Sequence, residues 1–510
     1  MSIRFSTKSP LRQIRYKSVG KRNIQGYLTV YLALLLGVMS ALCLALTEGV
    51  RVSTMRMEAV CISDIASDSI LAEYHRELFW KFNLLALDSS YGTGKIGSNL
   101  VEKRLKKYLE KNLRGMSEGI PGGVADLFYK DFLGMQLEEA QLEEAQTLTD
   151  EKGAVFRRQA VSAIRADLGA ELIARVGEWF HTVREQELDV RDVEAEKREA
   201  DEKIASAAGD RKLLPKEVPD GPELPEIENP TEMIEKRKRG GIVQLVLGDK
   251  AEISGKRLRS EALIMQRMRD GRAMEGNMES GEDSLAEELE EKILFHEYLI
   301  RYFGCYTEQM PDRALDYEVE YLIAGKNTDS ENIQGVLNRL LAVREAANVA
   351  FLYSDRTRCE EADLAALGIS SVLMVPELQP VFKTAILLGW AYAESVHDLK
   401  ILTGKGRVPL LKDDDSWHSN LADILSDIWK QENAGEGEGL CYQDYLGILL
   451  LLTEKNSLTE RAMNLVEADI RLTSGNESFR LDGCLVKIGT RVVVKSSHGG
   501  RMEVQDRKKY

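Results

Sequence analysis

Residues Tyr27 to Leu46 (YLTVYLALLLGVMSALCLAL) are twenty consecutive positions without a charge. As a helix rising about 1.5 Å per residue, such a run is roughly 30 Å long, the thickness of a bilayer's hydrocarbon core. The residues before it carry Arg4, Lys8, Arg12, Arg15, Lys17, Lys21 and Arg22, and no acid. By the positive-inside rule, Arg12, Arg15, Lys17, Lys21 and Arg22 set a topology with the N-terminus in the cytoplasm and the chain from about residue 47 onward outside. A cleaved secretory signal would have a shorter apolar core of roughly 7–15 residues and a small-x-small exit. The exit here, Leu46-Thr47-Glu48-Gly49-Val50-Arg51, has no such site. The run therefore reads as a retained single-pass span in membrane lipid, with its ends at Tyr27 and Leu46.

Charge then divides the chain. The net charge is −15, the leader carries +7 and the span nothing, which leaves −22 on residues 47–510. An acidic body argues against nucleic-acid binding, which needs cationic patches to displace phosphate counterions. The four distal cysteines, Cys305, Cys359, Cys441 and Cys484, form no C-x-x-C pair. They allow three disulfide pairings outside the cell, or remain as buried thiols, and their spacing disfavours zinc.

The span is expected to continue as a helix. Met55, Ala59, Ile62, Ala66, Ile70, Tyr74 and Leu78 recur every three or four residues, the period of one helical face. Met55, Ala59, Ile62 and Ala66 are its candidate helix-packing positions, and the alanines suit close approach of another helix. Asp88 to Gly94 supply turn residues. Residues 101–208 read as charged helix, with LEEAQ duplicated at 137–146 on a solvated face and an apolar stripe from Val161 to Phe180. Five prolines between Pro215 and Pro230 mark a linker, followed by a β-type run at 241–248 (GIVQLVLG). Ser284-x-x-Glu287 and Ser457-x-x-Glu460 have the form of capping boxes. Pro380–Tyr392 and Tyr445–Leu452 are apolar but too short to span, and read as core helices. Phe479–Lys495 suggests a hairpin, and Asp506–Tyr510 a frayed end.

The predicted fold class is mainly α: one N-terminal transmembrane helix continuing into a helical ectodomain with a few short β-strands, near 241–248 and 479–495. The predicted organisation is a basic cytoplasmic leader (1–25), a transmembrane helix (26–47) and a membrane-proximal helical region (48–208). A Pro/Glu-rich linker (209–235) and a distal, mainly helical region with a C-terminal β-hairpin (236–510) follow.

Catalytic motifs do not emerge. His75, His181, His296, His397, His418 and His498 form no H-E-x-x-H pair, and His296-Glu297 reads as surface. Asp413-Asp414-Asp415-Ser416-Trp417-His418 lacks the alternating ligands and turn glycine of a calcium loop and reads as a capped loop leading into a helix. Thr403-Gly404-Lys405-Gly406 lacks the full phosphate-loop pattern and reads as a glycine turn. The expectation is a non-enzyme with no catalytic residues, cofactor or metal.

Several stretches together carry a family resemblance: residues 26–53, AEYHRELFWKFNLLALDSSYGTG (72–94), GAVFRRQAV (153–161), LDYEVEYLIAGK (315–326), ILLGWAYAES (386–395) and YQDYLGILLLLT (442–453). Over nearly the whole chain they resemble an uncharacterised family of single-pass membrane proteins from Gram-positive bacteria. Genes of that family lie beside tight-adherence (Tad/Flp-type) pilus and secretion genes. The resemblance implies an accessory or pseudopilin-like role in pilus or secretion assembly, with other proteins of that apparatus as partners. Gly26 followed by a hydrophobic helix is similar to a pilin start, but Tyr31 stands where pilins have glutamate, which disfavours processing after Gly26. An ectodomain that binds an envelope component is the alternative.

Overall fold

A computed structural model describes residues 24–117, 134–165, 195, 198–200, 202–206, 241–248, 251–277, 288–421, 438–497 and 499–510. The described chain is mainly helical, opening on a long apolar helix and carrying a few strands, as the sequence predicts. It forms two compact units. One comprises 1–65, 108–139 and 492–504; the other comprises 66–107, 140–491 and 505–510.

Helix α1 runs unbroken over Ile24–Leu71. It contains no proline, and Thr47 and Thr54 donate their hydroxyls back to the carbonyls of Leu44 and Val50, each at 2.9 Å, so they need no outside partner. Every residue from 27 to 50 is exposed, and the Tyr27–Leu71 helix is long and apolar enough to cross a membrane. The surface then inverts: Met55, Ala59, Ile62, Ala66 and Ile70 are all buried. The final turn is fixed by Ser67 against Thr490 at 3.2 Å, Lys508 against Asp68 at 3.2 Å, and the Tyr510 hydroxyl donating to the Leu71 carbonyl. The predicted stripe outruns the helix: Tyr74 lies in the connection, and Leu78 is buried on α2 (Arg76–Phe82).

Strand β1 (Leu87–Asp88) pairs antiparallel with β3 (Cys484–Ser496), Leu87 opposite Leu485. Strand β2 (Met135–Thr147) and strand β4 (Arg501–Lys509) also join β3, after α3 (Ser98–Ser117). Two sequence expectations are corrected in this sheet. The LEEAQ duplication is strand, not helix. Its glutamates lie across from basic strand residues, with Glu138–Arg501 at 3.1 Å, Glu144–Arg507 at 2.6 Å and Glu143–Arg491 at 3.5 Å; cross-strand pairing outweighs the helix propensity of Glu, Ala and Leu. A five-residue repeat is out of phase with a two-residue strand period. The in–out alternation accordingly slips twice, at Glu139–Ala140 and again at Glu144–Ala145, which leaves both Ala140 and Ala145 buried. Second, the C-terminal residues are ordered in β4 rather than frayed. The expected hairpin near 479–495 forms from β3 and β4, displaced C-terminally.

Among the described residues the larger unit also contains the helices α4 (Asp150–Arg165), α5 (Ile242–Leu247), α6 (Ile264–Arg269), α7 (Glu288–Tyr302), α8 (Glu318–Ala324), α9 (Asp329–Ser354), α10 (Arg356–Val372), α11 (Gln379–Thr403), α12 (Tyr442–Leu452) and α13 (Lys455–Arg471). Helix α4 packs on α7 and α13, so this unit draws on chain from both sides of the 209–235 segment, which itself lies outside the described residues. Residues 241–248 are helix α5, not strand. Ile242 and Val246, one turn apart, are both buried as α5 packs on α9 and α11; a short apolar run between glycines has no periodicity of its own to decide. Helix α13 begins at Lys455 after Glu454, so Ser457 sits inside the first turn, donating to Glu454 at 3.1 Å, and is not the cap. Ser284 to Glu287 lie outside the described residues. His296 is corrected from surface to core: it is 4% exposed on α7, and burial pushes its pKa down to about 3, leaving a neutral ring.

Candidate functional site

A cluster of buried charge lies in the larger unit where α9, α11 and α12 meet the loop 408–419. Helix α11 is held by packing on α9 and α10, with Pro380 in its first turn, where a missing N–H costs nothing. One turn of α11 places Glu394, His397 and Asp398 together. From α9, Arg344 enters fully buried. Its Nε donates to Asp398 at 3.0 Å, and its fork reaches the carbonyls of Pro409 and Leu410 and the Tyr445 hydroxyl at 2.8–2.9 Å. Asn348, a turn further along α9, donates to Ser395 at 2.9 Å and to Asp398 at 3.1 Å. Burial opposes the Arg344 charge, but Asp398 and Tyr445 outweigh it and raise its pKa.

The loop contributes the second cation. Lys412, with 1% side-chain exposure, lies 2.5 Å from Glu394 Oε1 and 2.7 Å from Asp398 Oδ1, and donates to the Ser416 carbonyl at 2.7 Å. Two buried carboxylates are thus matched by two buried cations. Glu394 also accepts the backbone N–H of His418 at 3.1 Å and of Ser419 at 2.8 Å. Burial alone would raise the Glu394 pKa; hydrogen bonding with His418 and the Lys412 charge override it and hold the carboxylate far below its usual range.

Trp417 pins this loop. Its ring stacks on Phe351 with centroids 5.2 Å apart and meets Trp390 edge-on at 6.0 Å, and both indole N–H groups reach Ser419. The acidic triplet preceding it does not converge on a cation. Asp413 and Ser416 cap each other, Asp414 pairs with Arg358 at 2.6 Å, and Asp415 is exposed. The expected capped loop is present, and the chain following Leu421 lies outside the described residues. Thr403–Gly406 forms the expected glycine turn, with Lys405 at φ 68°.

The result is a juxtaposition that sequence spacing missed. Glu394, His397 and His418 each offer a ligand atom within 4.8 Å of the others, with the two imidazole centroids 5.0 Å apart. Burial lowers the pKa of His397, and its Nδ1 is buried without a hydrogen-bond partner. His418 is 43% exposed at its side chain, open to solvent. The available signal was Glu394-x-x-His397, one turn on an apolar helix; His418 is brought in only by the loop. Carboxylate and imidazole together can ligate a borderline divalent metal or exchange a proton.

Of the sites expected from sequence, Tyr27 and Leu46 are 85% and 61% exposed. Met55, Ala59, Ile62 and Ala66 are buried, and Arg12, Arg15, Lys17, Lys21 and Arg22 lie outside the described residues. All six cysteines are free.

No curated protein and no solved structure matches this chain. The model of a family of unknown function, DUF5702, matches residues 221–496, more than half of the sequence and all of the Glu394/His397/His418 site. The chain belongs to the DUF5702 family.

Proposed function

We propose that this protein is a membrane-anchored structural or interaction protein, with an acidic helical body outside the cytoplasmic membrane that serves assembly of a pilus or secretion apparatus. One observation carries the anchor: a helix whose residues 27–50 are all exposed and uncharged through Leu46, and whose next turns bury one face from Met55 to Ile70. Such a surface is stable in lipid at one end and in a protein core at the other. The basic leader supports the orientation, and the resemblance to proteins encoded beside Tad-type loci supports the assembly role. Partners are then other pilus or secretion proteins; catalysis is not part of the role.

Cys61 tests the orientation. It is exposed on α1 beyond the span, whereas Cys43 lies within it. In intact cells a membrane-impermeant maleimide labels the wild type and not Cys61→Ser; labelling of Cys61 only after lysis refutes the outward body. Deletion of the gene tests the assembly role, and unchanged pilus number and length would count against it.

A further inference from the structure

We propose that Glu394, His397 and His418 form a binding site for one divalent transition-metal ion of the Zn²⁺ type. Two imidazoles and a carboxylate are the donor set of such ions, whereas calcium and magnesium take oxygen donors. Ligand atoms within 4.8 Å of one another close around an ion with metal–ligand distances of about 2.0–2.2 Å by side-chain adjustment alone.

Three features separate this cluster from a chance meeting of polar groups. Glu394 and His397 sit on one turn of a helix fixed in the core, so two of the donors are pre-positioned. The third, His418, is held to that turn by its own backbone N–H on Glu394 and by the neighbouring Trp417 wedge. And the buried Nδ1 of His397 has no partner in the protein, a state that folded proteins rarely tolerate.

Lys412 already contacts Glu394, and it has somewhere to go. Its ammonium also lies 2.7 Å from Asp398 Oδ1 and 2.7 Å from the Ser416 carbonyl. An ion on Glu394 displaces one of three contacts and leaves Lys412 neutralising Asp398. The solvent-facing edge of His418 gives the ion access, and three protein donors leave a coordination position for water.

The test uses the full-length protein in detergent, stripped with a chelator and titrated with Co²⁺ and then Zn²⁺. The expected result is one Co²⁺ per chain, with the intense visible absorption of a four- or five-coordinate ion, displaced stoichiometrically by Zn²⁺. His418→Ala, at an exposed position, weakens binding at least tenfold without unfolding the metal-free protein, and His397→Ala also weakens binding at least tenfold. Absence of a one-to-one complex, or Zn²⁺ affinity unchanged in His418→Ala, overturns the proposal. Glu394 is left intact because the loop's hydrogen bonds converge on it.

Discussion

Glu320 makes the fold's stability depend on pH near neutrality. It lies fully buried on α8, where Oε1 accepts the Tyr306 N–H at 2.9 Å and the Tyr442 hydroxyl at 2.8 Å, while Oε2 has no partner. Burial is the largest influence on it and, opposed by these hydrogen bonds, pushes its pKa up to about 7 from 4.5. Between those values the folded state keeps a proton that the unfolded chain has lost. The folded state binds more protons, so stability is fully present below about 4.5 and falls as pH rises through about 7. At about 1.4 kcal/mol per pH unit, the loss attributable to this carboxyl is about 3 kcal/mol. Glu320→Gln removes the titration while keeping one acceptor for Tyr306 and Tyr442. Its new amide nitrogen takes the place of the unpartnered oxygen, at a cost of about 1–3 kcal/mol that does not vary with pH. Urea unfolding of both proteins, in one detergent, from pH 4.5 to 8.5 isolates the effect. The gap between wild type and Glu320→Gln should shift by about 3 kcal/mol in favour of the variant as pH rises. Asp329 and Glu297 are also raised by burial, but they titrate in both proteins and cancel. A gap that stays constant across the range would refute the assignment.

Arg344→Met leaves Asp398 with Lys412 as its remaining cation, strips the Arg344 donor from the Leu410 carbonyl and leaves Pro409 the Tyr445 hydroxyl at 3.3 Å; a loss of about 3–5 kcal/mol is expected by denaturant titration. Gly153→Ala is expected to cost about 2–4 kcal/mol. Its φ is +82°, and a Cβ there would lie 2.6 Å from Thr459 Cγ2, so left-handed backbone and overpacking add. Adding Thr459→Ser removes that methyl, keeps the hydroxyl that accepts from Arg157 at 3.1 Å, and should recover the Thr459 share of the packing cost, with Met463 Cε still 2.9 Å from the new Cβ.

What the sequence discloses tracks how local the cause is. The long apolar N-terminal helix, the buried stripe from Met55 to Ile70 and the core helices α11 and α12 follow from apolar periods within one segment, and they form as helices. The LEEAQ strand and helix α5 do not, because each is decided by a distant surface: Arg491, Arg501 and Arg507 for the first, α9 and α11 for the second. The candidate metal site fails to show for the same reason. Glu394 and His397 are visible as an i, i+3 pair, but the residue that makes them a site, His418, lies beyond a glycine turn and a loop whose path is set by Trp417. His296, beside a glutamate in a charged stretch, looks solvated until α7 is placed in the core.

A second buried ion network in the same unit shows why the Glu394 cluster is more than structural. Arg267 donates to both oxygens of Glu467 at 2.8 and 2.6 Å and to Asp482 at 2.7 Å, and Arg471 and Arg480 reach the same two carboxylates at 2.5 and 2.6 Å. There guanidinium forks, which stay charged and fix direction, saturate the acids. At Glu394 the counter-charge is instead a lysine, a point charge on a flexible stem that also has Asp398 and Ser416 to hold it, and two imidazoles stand beside it. Replacing buried ion pairs by apolar side chains is often neutral or stabilising, so stability gives no reason for the softer arrangement. A carboxylate whose lysine can be displaced, next to an imidazole nitrogen with no partner, has the chemistry of a site that accepts a cation; the Arg267 network has neither feature.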